Sequence, residues 1–152
     1  MREIDVVDEA VIDADSAVVF QALVDEMTGK ADWWSPHLTT RMRGETPASQ
    51  AGAVFDITVH RPGTPRFTEK TIEVAENKLY RVEYVDGDFK GEGIWTLEPL
   101  GDRTLLRFRW RVRPQRWLLR MLSRFMDIGK MHSEVMKRGF EGLNQYVRQK
   151  KQ

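Results

Sequence analysis

Apolar and acidic residues alternate over residues 3–13: Ile4, Val6, Ala10 and Ile12 share one parity, and Glu3, Asp5, Glu9 and Asp13 share the other. A period of two marks a strand with one buried face. Asp8 breaks the pattern by falling on the apolar side. Asp15 or Ser16 then stands where a helix cap is needed, ahead of a short helical stretch over 17–24 that Gly29 can end. A second helical turn over 31–34 stops before Pro36. Strand patterns follow over 38–43, 53–60, 67–75, 80–85, 89–98 and 104–113, separated by the turn residues RPGTP, AEN, DGD and PLGD. In the stretch 67–75, Phe67 disagrees in parity with Ile72 and Val74, so the pattern leaves the face of Glu69 undecided, and it leaves Asp8 undecided too.

Pro114 closes the last strand, and a helical tail follows, with a break expected near 127–129. At about 100° per residue, Ile128, Met131, Val135, Met136, Phe140, Leu143, Tyr146 and Val147 gather on one side of that helix, and Lys130, Glu134, Lys137, Glu141, Asn144, Gln145 and Arg148 on the other. His132 and Gly139 lie near the centre of the apolar arc. An interior Gly costs a helix roughly 1 kcal/mol against Ala, so the buried side accepts a penalty either for close packing or for space. Strands joined by tight turns are antiparallel neighbours, and one amphipathic helix buries its arc against the sheet they form. The pattern predicts one two-layer α+β domain over 1–152.

Composition narrows the function. Net charge is +1 over 152 residues, which nominates neither nucleic acid nor a membrane as partner. The absence of Cys removes disulfides, thiol nucleophiles and Cys-ligated metal sites. With no apolar leader at its start and no run of about 20 apolar residues, the chain is expected to be cytoplasmic, without stable membrane anchoring. His37, His60 and His132 lack ligand spacing, and no phosphate loop or nucleophile elbow is present, so neither metal nor cofactor is expected and no catalytic residue is assigned. Five Trp and seven Phe either fill a core or line a pocket.

The segments VIDADSAVVFQAL (11–23), DWWSP (32–36), GEGIWTLEPLGDRTLLRF (91–108) and GLNQYV (142–147) resemble the START-like helix-grip superfamily, SRPBCC, in its polyketide cyclase/dehydrase and lipid transport branch, with the birch-pollen-allergen-like fold. The resemblance implies a curved seven-stranded antiparallel sheet wrapped around a long C-terminal helix, two short helices after the first strand, and a cavity between sheet and helix for an apolar or aromatic molecule such as a lipid or polyketide. Phe55, Tyr84, Trp95, Phe108 and Trp110 are then expected as walls, His132 as polar contact, and Met136 and Gly139 as the helix's contribution. Alternatives stay open: a polyketide cyclase or dehydratase-like enzyme using His132, with an inward acid such as Asp8 as partner, or a protein-interaction module whose cavity is filled.

In that topology the last strand pairs with the first. Arg107, Arg109, Arg111 and Arg113 then face outward, where the acids of the first strand and Glu92 and Glu98 of the sixth can neutralise them, so the arginine run is read as cross-strand pairing and not as a nucleic-acid surface. The basic apolar stretch 114–126 is expected to be a lid over the cavity mouth, or a surface that touches membrane during lipid exchange, or a helical connector on the sheet edge or on a second subunit, which leaves a homodimer open.

Overall fold

A computed structural model describes residues 3–151. Its strands are β1 (Ile4–Ile12), β2 (Leu38–Arg43), β3 (Val54–Val59), β4 (Arg66–Ala75), β5 (Leu79–Gly87), β6 (Phe89–Leu100) and β7 (Arg103–Pro114). They form a single antiparallel sheet in the order β1-β7-β6-β5-β4-β3-β2. After β1 comes α1 (Ser16–Thr28), capped by Asp15, whose carboxylate accepts from the Val18 amide at 3.0 Å, and closed by Gly29 at φ 78°. The second helical stretch expected after it takes the form of hydrogen-bonded turns over 33–37. Beyond β7 the chain makes a short helix, α2 (Trp117–Leu122), breaks, and enters α3 (Ile128–Lys150) with Asp127 as N-cap. Proline at the end of β7 and the cap at Asp127 put that break where the sequence pattern weakened.

The long helix crosses the concave face of the sheet. Its first turn packs Gly129 against Val6 of β1, Asn144 accepts from the Asp13 amide at 2.8 Å and donates to Val11 O at 3.1 Å, and Glu134 pairs with Arg61, beyond β3, at 2.6 Å. Contact with both sides of the sheet from one helix requires the sheet to curl around it. On the outer face, Arg107 pairs with Glu9 at 2.8 Å, Arg109 with Asp5 at 2.9 Å, and Arg111 with Glu3 at 3.4 Å and Glu92 at 3.7 Å. They are exposed or, at Arg111 and Glu92, half-buried, so each contributes at most about 1 kcal/mol; their effect is to neutralise most of the arginine run.

One extra residue within β4 explains its conflict of parity. Between β4 and β5 the register shifts once between Thr68 and Glu69, where Val85 has no partner, and again between Thr71 and Glu73, where Ile72 has none. An extra residue reverses the alternation of its own strand, so Val85 acts on β5 and Ile72 on β4. Phe67, Glu69 and Thr71 all precede Ile72, share one parity, point inward and are buried, whereas Val74 lies beyond Ile72 in the opposite phase of the strand.

Candidate functional site

Between the sheet, α2 and the N-terminal half of α3 lies a cavity of about 360 Å³. Its walls are apolar and largely aromatic because the inward parity of β4 to β7 carries rings. Tyr84 and Phe67 meet at 5.1 Å between ring centroids, Phe67 and Phe89 at 5.8 Å, and Phe89 and Trp110 at 5.0 Å; the His132 ring lies parallel to that of Trp110 at 3.9 Å. Edge-on and stacked contacts at these distances hold the rings in fixed orientations. Pro62 and Gly63 of the β3–β4 hairpin, with Leu118 and Met126 of the α2 segment, also line the space, and all four are exposed, so the cavity reaches solvent there. Arg116 ties the two sides of that mouth together by donating to Gly63 O at 2.7 Å and pairing with Asp88 at 3.3 Å.

Six of the eight expected residues, Tyr84, Trp95, Phe108, Trp110, His132 and Met136, line the cavity. Phe55 does not: it is fully buried beside Glu69 in the β3–β4 register, one inward position beyond Ile57, where the wall has given way to solid core. Gly139 does not line it either, and the space above it is already filled. A Cβ there would come within 2.5 Å of the Trp34 indole, whose N–H donates to Val135 O at 3.0 Å. Gly142, one turn on, lies so close to Trp33 O that a Cβ would stand 1.9 Å from it. Both glycines serve close packing of the Trp33–Trp34 turn, and it is Trp34 that lines the cavity. Position along the helix could not reveal this, because the partner comes from a turn about a hundred residues away (|i−j| = 101 for the Trp34–Val135 bond).

Three polar side chains reach the apolar interior. Glu69 is 5 % exposed, and burial pushes its carboxyl up to about 8, with no cation or donor of the protein to offset it. It is therefore largely a neutral acid at pH 7. Tyr84, its cross-strand partner, is raised well above the ordinary phenol range by burial and then by the Glu69 carboxylate. On the opposite wall, burial lowers His132, and Asp8 opposes that shift. For Asp8, burial acts upward but the neighbouring His132 and Ser133 side chains more than offset it, and its pKa is lowered. His132 Nδ1 stands 3.7 Å from Asp8 Oδ2, longer than a hydrogen bond, and neither atom has a hydrogen-bond partner among the described residues. Asp8, the acid that broke the parity of β1, thus faces the histidine. The site brings together a neutral acid, a phenol and an imidazole on two walls of an aromatic chamber, groups that can donate to or accept from a polar function on an otherwise apolar molecule.

Sequence reasoning overlooked Trp34, Met27 and the hairpin 61–65 as lining residues, and left Glu69 open. Glu69 shares the face of Phe67 and Thr71, and the extra residue Ile72 that reverses the phase beyond them leaves no mark in composition; the one available signal was the parity conflict within β4.

A family model for "Polyketide cyclase / dehydrase and lipid transport" matches residues 3–148. No curated protein matches the sequence. Among solved structures, a START superfamily protein from Mycobacterium smegmatis superposes with TM-score 0.73 at 18% identity, covering 95% of this chain and 97% of that one. The Zhui aromatase/cyclase from Streptomyces sp. R1128 gives TM-score 0.70 at 14% identity, with 96% of each chain covered. Norcoclaurine synthase from Thalictrum flavum, solved with dopamine and hydroxybenzaldehyde, gives TM-score 0.66 at 13% identity over 97% of this chain and 88% of that one. At such identities these likenesses establish the fold and leave activity open. With its seven-stranded antiparallel sheet closed over one long C-terminal helix, and the family match running nearly end to end, the chain belongs to the polyketide cyclase/dehydrase and lipid transport family and has the START-like helix-grip fold.

Proposed function

We propose that the protein binds one small apolar or aromatic molecule, a lipid, polyketide or similar metabolite, inside the cavity. The observation that carries this reading is the cavity itself: about 360 Å³ of ring-walled space with an opening to solvent, where ligand sites of roughly 300–1,000 Å³ are the norm. Trp95, Phe108, Trp110 and Met136 supply apolar wall, and Glu69, Tyr84 and His132 orient the ligand's polar function. A filled, interaction-only groove fits a space of this volume poorly. A second reading, cyclase or dehydratase-like acid/base chemistry, is favoured by the His132–Asp8 approach, because an imidazole kept neutral by burial and faced by an ionised carboxylate is suited to accept a proton.

Native mass spectrometry of protein taken gently from its producing cells, beside a denatured sample, tests the first reading. An excess mass over 17.7 kDa that disappears on denaturation is expected. Bare protein, unchanged by a panel of fatty acids, flavonoids and aromatic polyketides, sinks the carrier reading. With a ligand in hand, His132→Ala separates the two: turnover vanishes if His132 is the acid/base, and most of the affinity survives if it only contacts the ligand.

A further inference from the structure

The ten residues 117–126 contain five of the ten large hydrophobic side chains that are exposed among the described residues. Trp117 is 67 % exposed, Met121 48 % and Phe125 83 %, whereas the remaining five are aliphatic side chains dispersed over β1, α1, β5 and β6. The other side of the same segment is also apolar: Leu118, Leu119 and Leu122 form cavity wall. Apolar side chains thus stand on both sides of the segment, and on one side they have no cover from the protein.

Charge distinguishes this surface from the sheet face before it. Arg107, Arg109 and Arg111 have carboxylate partners, but from residue 113 to residue 126 there are four Arg and no acid. Of these, Arg113, Arg120 and Arg124 take part in no ion pair among the described residues, and all three are exposed. Unpaired cations interleaved with exposed aromatic rings match a bilayer surface, where rings enter the acyl boundary and guanidinium groups meet lipid phosphates. A two-fold contact with a second copy would set the same arginines against each other. Among the described residues no helix is long and apolar enough to cross a membrane, so the contact is one of docking.

We propose that this segment seats the protein on membranes containing anionic lipid, with Trp117, Met121 and Phe125 entering the interface and Arg120 and Arg124 held at the phosphates. Because the inner side of the segment lines the cavity, docking places the cavity mouth against the bilayer. The proposal stands on exposure and charge and does not depend on what the cavity holds.

Co-sedimentation with vesicles of phosphatidylcholine, with and without phosphatidylglycerol, tests it. The full chain should partition onto phosphatidylglycerol vesicles and release as salt is raised. Arg120→Gln and Arg124→Gln should each weaken partitioning about fivefold at low salt, and Trp117→Ala with Phe125→Ala should weaken it further with the melting temperature unchanged. Equal partitioning with and without phosphatidylglycerol, none to either, or full partitioning of a variant that combines Arg120→Gln, Arg124→Gln, Trp117→Ala and Phe125→Ala would overturn the proposal. So would a concentration-dependent dimer in size exclusion that the Trp117→Ala/Phe125→Ala variant abolishes, with no vesicle binding; that result gives the face to a second copy. Ligand binding in solution, measured separately, is expected to be unaffected by these substitutions.

Discussion

Glu69 meets no counter-ion in the wall that surrounds it, and its cost depends on pH. A carboxyl whose folded-state pKa lies above its unfolded value is tolerated while protonated and penalised once ionised. Stability is therefore full below about pH 4.5 and declines as pH rises toward about 8, the folded value. Glu69→Gln keeps size and hydrogen-bonding capacity and removes the charge. It should leave the unfolding free energy nearly unchanged at pH 5 and raise it at pH 9 by a few kcal/mol, at about 1.4 kcal/mol per pKa unit, as read by urea unfolding at the two pH values. Equal shifts at both pH values would mean that Glu69 finds a partner on ionising. The same group bears on selectivity, since a neutral acid beside the Tyr84 phenol offers a donor where an ionised pair of oxygens would only accept.

At the scale of the element, the glycines of α3 matter more than its hydrophobic arc. An exposed helical Gly→Ala change gains about 1 kcal/mol, and that sign should reverse at Gly139. Its Cβ would meet the Trp34 ring at 2.5 Å, and the ring is held by its bond to Val135 O and stacked on Trp33 at 5.2 Å. Gly139→Ala is expected to cost about 1–3 kcal/mol in urea unfolding and to disturb ligand affinity through Trp34. A neutral or stabilising effect would show that the turn over 33–37 yields easily.

For the whole molecule, a curled sheet closed by one helix leaves a chamber that periodic patterns cannot measure, and occupancy of it should appear in global stability. A molecule recovered by native mass spectrometry, supplied at about a hundred times its dissociation constant, should add about 2.7 kcal/mol to unfolding. In a chain of this length that is roughly 5–10 °C of melting temperature. A recovered mass that leaves melting untouched would be adsorbed at the surface and not enclosed.

Alternation in β1 and β7 and the apolar arc of α3 were sufficient to establish the strands, their inward faces, the outward arginines and the two-layer architecture, because burial repeats at the period of each element and is written locally. Phe108, Trp110 and His132 were legible as inward for the same reason, and Trp95 through the family resemblance. The tertiary structure alone decided that Glu69 faces the cavity with Phe67 and Thr71 while the extra residue Ile72 reverses the phase beyond them, that Trp34 occupies the space over Gly139, that Phe55 falls behind the wall, and that Asp8 faces His132 from the other end of the chain. Those outcomes depend on register and side-chain volume across strands and turns far apart in sequence, where each position is set by its spatial neighbours and not by its place in a repeat.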